Sequence, residues 1–226
     1  MRSVILGSML VTAMVGVASA QDTTALVAGD RATSAELSKI IEGARTKGLP
    51  VEPILSKVGY AVNIAHAPGP RIVAAARATA ARLEEARDAL APNPTANDID
   101  AGGKALSANV SRKSLQDVRK ASGNRPVAVP LGVLTQLVAN NVDEARATKY
   151  VTDLIRRGAT TEQLVALGND VNSDVVLGTK ANNSMDLRAT HLTAVLGVPG
   201  GTAAAAVDQG FQTGTSSPTP PGRKKP

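Results

Sequence analysis

Residues 141 to 160 read NVDEARATKYVTDLIRRGAT, and the reading of this stretch decides the fold. It opens with Asn141-Val142-Asp143 and closes with Gly158-Ala159-Thr160, two versions of one three-residue formula. Asn or Gly tolerates the left-handed conformation that ends a helix. The apolar or small residue behind it is placed to close over the last turn and staple the next helix. Asp or Thr then caps the new N-terminus by accepting from its free backbone N–H groups. The segment between, residues 144 to 157, is predicted to be one helix held between two tight corners.

The formula recurs at Asn109-Val110-Ser111 and at Gly48-Leu49-Pro50, where proline suits the first turn in place of a capping side chain. Amphipathic segments flank each corner. Leu37, Ile40, Ile41 and Ala44 follow helical spacing, with Thr33-x-x-Glu36 ahead of them as a capping box. Ile54, Leu55, Val58, Ala61 and Val62 repeat the pattern after Pro53. Pro70 opens the longest run, whose inner face carries Ile72, Ala76, Leu83, Ala86 and Leu90, with Thr79 as its polar member, down to Pro92 and Pro94. Further helices are legible at about 95–108, 111–121, 130–140, 161–177 and 185–196.

Val127-Ala128-Val129 reads as a short extended piece without a pairing partner, and an isolated strand cannot satisfy its own backbone. The fold class predicted is therefore all-α: an irregular bundle or short superhelix of about eight to nine helices joined by tight helix-turn-helix corners, with a disordered C-terminal tail. The corners are unevenly spaced, which excludes a fixed-period solenoid.

The chain ends read differently. Residues 1–20 carry Arg2, an uncharged run from Val4 to Val17, and Ala18-Ser19-Ala20 before the polarity returns at Gln21. That order is the grammar of a secretory signal peptide, cleaved after Ala20 with Ala18 and Ala20 as the recognised small residues. The run is shorter than the ~20 residues of a spanning helix, so no transmembrane segment is expected in the mature chain. Residues 21–32 read as a loose leader, 33–197 as a single helical domain, and 198–226 as a disordered Gly/Pro/Ser/Thr-rich basic tail. The expected localisation is periplasmic or secreted.

Lys and Arg number 25 against 19 Asp and Glu, a formal +6. Arg223, Lys224 and Lys225 in the tail supply much of that excess, so the body is only mildly basic and no nucleic-acid partner is expected. There is no cysteine, so export brings no disulfide, and an ordinary core must hold the chain. Tyr60, Tyr150 and Phe211 are the only aromatics. Aliphatic side chains must do the packing, and stacking recognition of bases or sugars is disfavoured.

The chemical motifs fail on inspection. Asp98-Ile99-Asp100-Ala101-Gly102-Gly103-Lys104-Ala105-Leu106 resembles a phosphate loop only at Gly103-Lys104. A P-loop needs glycine where Asp98 stands and Ser or Thr where Ala105 stands. As a calcium loop it offers Gly102 where a ligand is needed and Asn109 where a bidentate Glu belongs. Asp98 and Asp100 read instead as surface carboxylates on the first turns of a helix. Gly102 and Gly103 share a side with Ile99 and Leu106, and read as the point where a neighbouring helix crosses closely.

His66 and His191 lack metal-spaced companions, and no metal site or cofactor is expected. Ser107, Ser111 and Ser114 are explained by capping near a corner, and no G-x-S-x-G elbow occurs, so no catalytic residue is named. Glu84, Glu85 and Asp88, interleaved with Arg82 and Arg87, read as an exposed ion-paired face. Arg112, Lys113, Arg119, Lys120 and Arg125, with Arg223, Lys224 and Lys225, are candidate contacts for a polyanion such as an envelope surface. The helix dipole accounts for several of them without any ligand. Arg156-Arg157 through Val171 imitates a DNA-binding helix-turn-helix, but Glu162 would face phosphate.

These readings favour an exported, non-enzymatic helical protein serving as an interaction or structural module of the bacterial cell envelope. Its partner would be a protein or an anionic envelope surface. A periplasmic hydrolase with scattered residues, and a carrier of a lipid or small apolar ligand, are the alternatives. A carrier calls for a dry cavity, a hydrolase for converging titratable groups, and an interaction module for an exposed patch.

Overall fold

A computed structural model of the chain describes residues 30–197. The expected signal peptide with Ala18 and Ala20, residues 21–29 of the expected leader, and the expected tail with Arg223, Lys224 and Lys225 lie outside those residues. Residues 30–32, also expected in the loose leader, instead cap and begin the first helix. Within them the chain forms nine helices and no strand: α1 Arg31–Thr46, α2 Glu52–Asn63, α3 Gly69–Ala89, α4 Ala96–Ser107, α5 Arg112–Ser122, α6 Ala128–Ala139, α7 Glu144–Arg156, α8 Thr161–Val176 and α9 Ala181–Leu196. The all-α expectation holds.

The corners carry the conformation their residues require. Gly48, Asn109, Asn141 and Gly158 have φ of 67°, 65°, 65° and 85°. Leu49, Val110, Val142 and Ala159 behind them are all buried. The N–H groups of Leu49, Val142 and Ala159 donate back to the carbonyls of Ala44, Leu137 and Leu154 at 2.9, 3.0 and 2.9 Å, which satisfies acceptors the helix ends leave open. Ser111, Asp143 and Thr160 then accept from the backbone N–H of Ser114, Arg146 and Gln163. Thr160 and Gln163 form a complete capping box. At the first corner Pro50 stops short of the helix, and α2 begins at Glu52 with Pro53 in its first turn.

Several local expectations are corrected. Asp30, not Thr33, caps α1, and the Thr33 hydroxyl donates to the Asp30 carboxylate from inside the helix. Glu36, expected to complete a box with Thr33, pairs instead with Lys39 and Arg77. The Val127–Val129 piece is not extended: α6 starts at Ala128, and Val127 precedes it as the N-cap. Helix α9 begins at Ala181, four residues before the expected start, because Gly178 (φ 94°) forms a corner whose following residues, Thr179 and Lys180, are polar and exposed. Lys180 supplies no capping side chain, so the sequence formula misses it.

Inside the span expected to form one helical domain, the described helices group in two compact units that meet in sequence at Ser107 and Ala108. In the first, α1, α2 and α4 each pack on the long helix α3. Ion pairs from Arg77 to Glu36 and from Lys47 to Glu84 run α1 alongside α3 in the same direction. Leu37, Ile41, Ile54, Val58, Ile72, Ala76 and Leu83 form the core between them. Gly69 sits where any Cβ would strike the Thr33 side chain, which brings the N-termini of α1 and α3 together.

In the second unit α6 is the most apolar helix, burying Pro130, Leu131, Val133, Leu134 and Leu137. It packs against α8 and α7, α7 against α5, and α8 against α9. A Cβ at Gly168 would lie 2.7 Å from the Gln136 side-chain oxygen, so α8 and α6 approach closely there. Asp174 accepts from Arg188 at 2.8 and 2.9 Å and from Ser184 at 2.7 Å, tying α8 to α9. No helix among the described residues is long and apolar enough to cross a membrane.

Candidate functional site

In the first unit α2 and α4 both lie on α3 and leave a groove of about 860 Å³ between them. The floor is α3, with Thr79, Arg82 and Leu83. One wall is α2, whose Pro53, Ser56, Lys57 and Tyr60 share a face at helical spacing. The other is α4, with Ala96, Asn97, Asp100, Gly103, Lys104 and Ser107. Pro50 and Glu52, at the start of α2, complete the lining.

The wall α4 is the stretch that imitates a phosphate loop, and it is helical throughout. A Cβ at Gly103 would fall 2.9 Å from Cδ2 of Leu83, a side chain that is only 1% exposed. The expected helix crossing therefore exists, and Gly103 with Leu83 makes it. Asp98 is corrected: it is no surface carboxylate but buried, at 2% exposure. It accepts from the Thr95 N–H and its own N–H donates to the Thr95 hydroxyl, both at 3.1 Å, forming a reciprocal cap. Asp100 reaches Lys104 at 2.7 Å across one turn, on the groove side.

The charged and polar groups of the groove are spread along its walls. The Lys57 ammonium lies 5.5 Å from the centre of the Tyr60 ring, and that ring is 56% exposed. Thr79 donates to the Ala75 carbonyl at 2.9 Å. Ser107 donates to the Gly103 carbonyl at 2.8 Å. Arg82 does not join the acidic face as expected: Glu84 pairs with Lys47, and Arg87 with Asp88. The sequence pointed to part of this. Thr79 was the polar residue on an apolar face, and Tyr60 one of few aromatics. Lys57 and Arg82 carried no signal, because only the packing of α2 and α4 on one helix brings them to one groove.

The remaining candidates take other places. His66 is exposed just past α2 at φ 45°, and His191 is exposed on α9. Neither lines the groove. Among the described residues no cluster of His, Asp and Glu could hold a metal. In the second unit Lys113 pairs with Asp117 at 2.6 Å. Arg125 donates to the Ser122 and Ile155 carbonyls at 3.3 and 3.1 Å, and Arg119 to the Arg125 carbonyl at 3.1 Å. These contacts use guanidinium groups to close the ends of α5 and α7. Arg112 and Lys120 are exposed on α5.

Ser111 and Ser114 meet a partner the sequence did not reveal. Glu144 accepts from the Ser111 N–H at 2.7 Å and from the Ser114 hydroxyl at 2.6 Å, and Thr148 donates to Ser114 at 3.0 Å. Burial acts to raise the Glu144 carboxyl, but the Ser114 and Ser111 hydrogen bonds outweigh it and hold the group below its usual value. These hydrogen bonds clamp α5 to α7. No protein-family model, curated protein or solved structure matches the chain.

Proposed function

We propose that this protein is an exported, non-enzymatic helical module of the bacterial cell envelope that works by holding a partner, and that the groove over α3 is its contact surface. The observation that carries the proposal is the groove itself: an open, peptide-sized cleft with rigid helical walls. It combines an exposed Tyr60 ring and two prolines with hydroxyl, amide and charged groups. Such a mixture, an apolar body rimmed by polar groups, suits recognition of another surface. Its charged groups are spread over both walls and the floor instead of converging on one point, which favours binding over hydrolysis. Five charged side chains in the lining and an open mouth favour a protein partner over an apolar small ligand.

The export half of the proposal rests on the first twenty residues and predicts a mature chain that begins at Gln21. Both halves are tested in one bacterial expression experiment. A photo-crosslinking residue is placed at Ser56 or Asn97, both exposed in the groove, or at Ser38 on the exposed side of α1. Covalent adducts from the groove positions and not from Ser38, on a protein whose N-terminus is Gln21 by mass spectrometry, support the reading. Equal labelling at all three sites, or none, contradicts the groove; an uncleaved N-terminus contradicts export.

A further inference from the structure

The volume of the groove between α2 and α4 is enough for a short helix. At a rise of 1.5 Å per residue, Pro53 to Tyr60 spans about 11 Å of one wall and Ala96 to Ser107 about 17 Å of the other. A helix about 10 Å across that filled 860 Å³ would be about 11 Å long, or two turns. Both walls already pack on α3, so an occupant would sit against three helices as a further member of the bundle.

The charges specify more. Lys104 is neutralised by Asp100, and Lys57 lies over the Tyr60 ring. Glu52 occupies the first turn of α2, where the helix dipole favours a carboxylate. Arg82 has none of these supports. It is exposed on the floor, in the interior of α3, and it makes no ion pair or hydrogen bond among the described residues. A guanidinium is built to take a carboxylate through two parallel hydrogen bonds, and this one lines the groove.

We infer that the groove receives an amphipathic helix of two to three turns from a partner protein. That helix rests an apolar stripe on Pro53, Tyr60 and Ala96 and places an Asp or Glu against Arg82. The inference rests on the groove being the contact surface and adds the class of partner. In helix-in-groove recognition the bound helix presents its anchors at i, i+3 or i+4, and i+7.

The test uses the full chain and a displayed library of 14-residue amphipathic helices. Half the library carries Asp or Glu at its central position and half carries Asn or Gln. Selected binders are then titrated by fluorescence anisotropy against the wild type and two variants whose altered side chains are exposed. Ser56→Trp fills the groove, and Arg82→Gln removes the guanidinium charge. The expected binders are enriched in the acidic half, are lost on Ser56→Trp, and weaken roughly tenfold on Arg82→Gln. Replacing the acidic residue of a selected helix by its amide removes that sensitivity. Binders lost on Ser56→Trp but drawn equally from both halves and indifferent to Arg82→Gln would overturn the partner class and leave the groove standing. Binders indifferent to Ser56→Trp, or a library that yields none, would overturn both.

Discussion

Adding one methyl group at Gly103 tests how tightly α4 crosses α3. Alanine is favoured over glycine inside a helix by about 1 kcal/mol, so an unobstructed Gly→Ala change should stabilise. Gly132 on α6 is such a site, with nothing within 4 Å of a built Cβ. At Gly103 the same methyl would lie 2.9 Å from Leu83 Cδ2, 3.6 Å from its Cγ and 3.9 Å from its Cα. Leu83 is 1% exposed and belongs to the core of the first unit, so its Cδ2 must be displaced to admit the methyl. Overpacking of this kind costs about 1–3 kcal/mol, which cancels or exceeds the helical gain. The two Gly→Ala variants should therefore differ by about 1–3 kcal/mol in unfolding free energy, with Gly132→Ala the more stable. Urea denaturation followed by circular dichroism at 222 nm measures both. Pairing Gly103→Ala with Leu83→Ala should cost less than the sum of the two, because the clashing methyl is gone. Equal stabilisation at Gly103 and Gly132 would refute the close crossing and, with it, the fixed position of one groove wall.

Three further outcomes follow from the corners and the charge pairs. Asn141 holds φ 65°, so Asn141→Gly should be neutral or stabilising and Asn141→Ala should cost about 1 kcal/mol by the same denaturation assay. The hydrogen bonds from Arg188 and Ser184 hold the Asp174 carboxyl at about 2, below its usual 3.8. A lowered folded value means the contribution is fully present above pH 3.8 and is lost as the pH falls towards 2. Asp174→Asn should thus be less stable than wild type near neutrality, with the gap closing across that window in thermal melts. Thr95→Ala should lose about 1 kcal/mol through the broken cap with Asp98.

What the sequence made legible and what it hid have separate physical causes. The corners were readable because their demands are local: a left-handed φ at Asn141 or Gly158, an apolar staple, and a capping oxygen all fall within three residues. Where a corner lacked the staple, at Gly178-Thr179-Lys180, the reading placed the next helix four residues late. The close contact at Gly103 was also readable, since glycines inside a helix need a packing reason. Asp98 was misread because its burial depends on how Thr95 turns back to it after the proline-rich break. The groove was hidden for a broader reason. Lys57, Arg82 and Lys104 lie on three different helices, and their common destination is set by tertiary packing on α3, not by any periodicity along the chain. Glu144 meeting Ser114 across thirty residues is the same case.

The central claim, that a partner helix seats over α3, is tested most directly by a heteronuclear NMR titration of the full chain with a helix taken from the displayed library. Backbone shifts should concentrate at Ser56, Lys57, Tyr60, Arg82, Lys104 and Ser107, and should vanish when the Ser56→Trp variant replaces the wild type. Shifts confined to α8 and α9, or a wild-type pattern that persists in Ser56→Trp, would contradict the account.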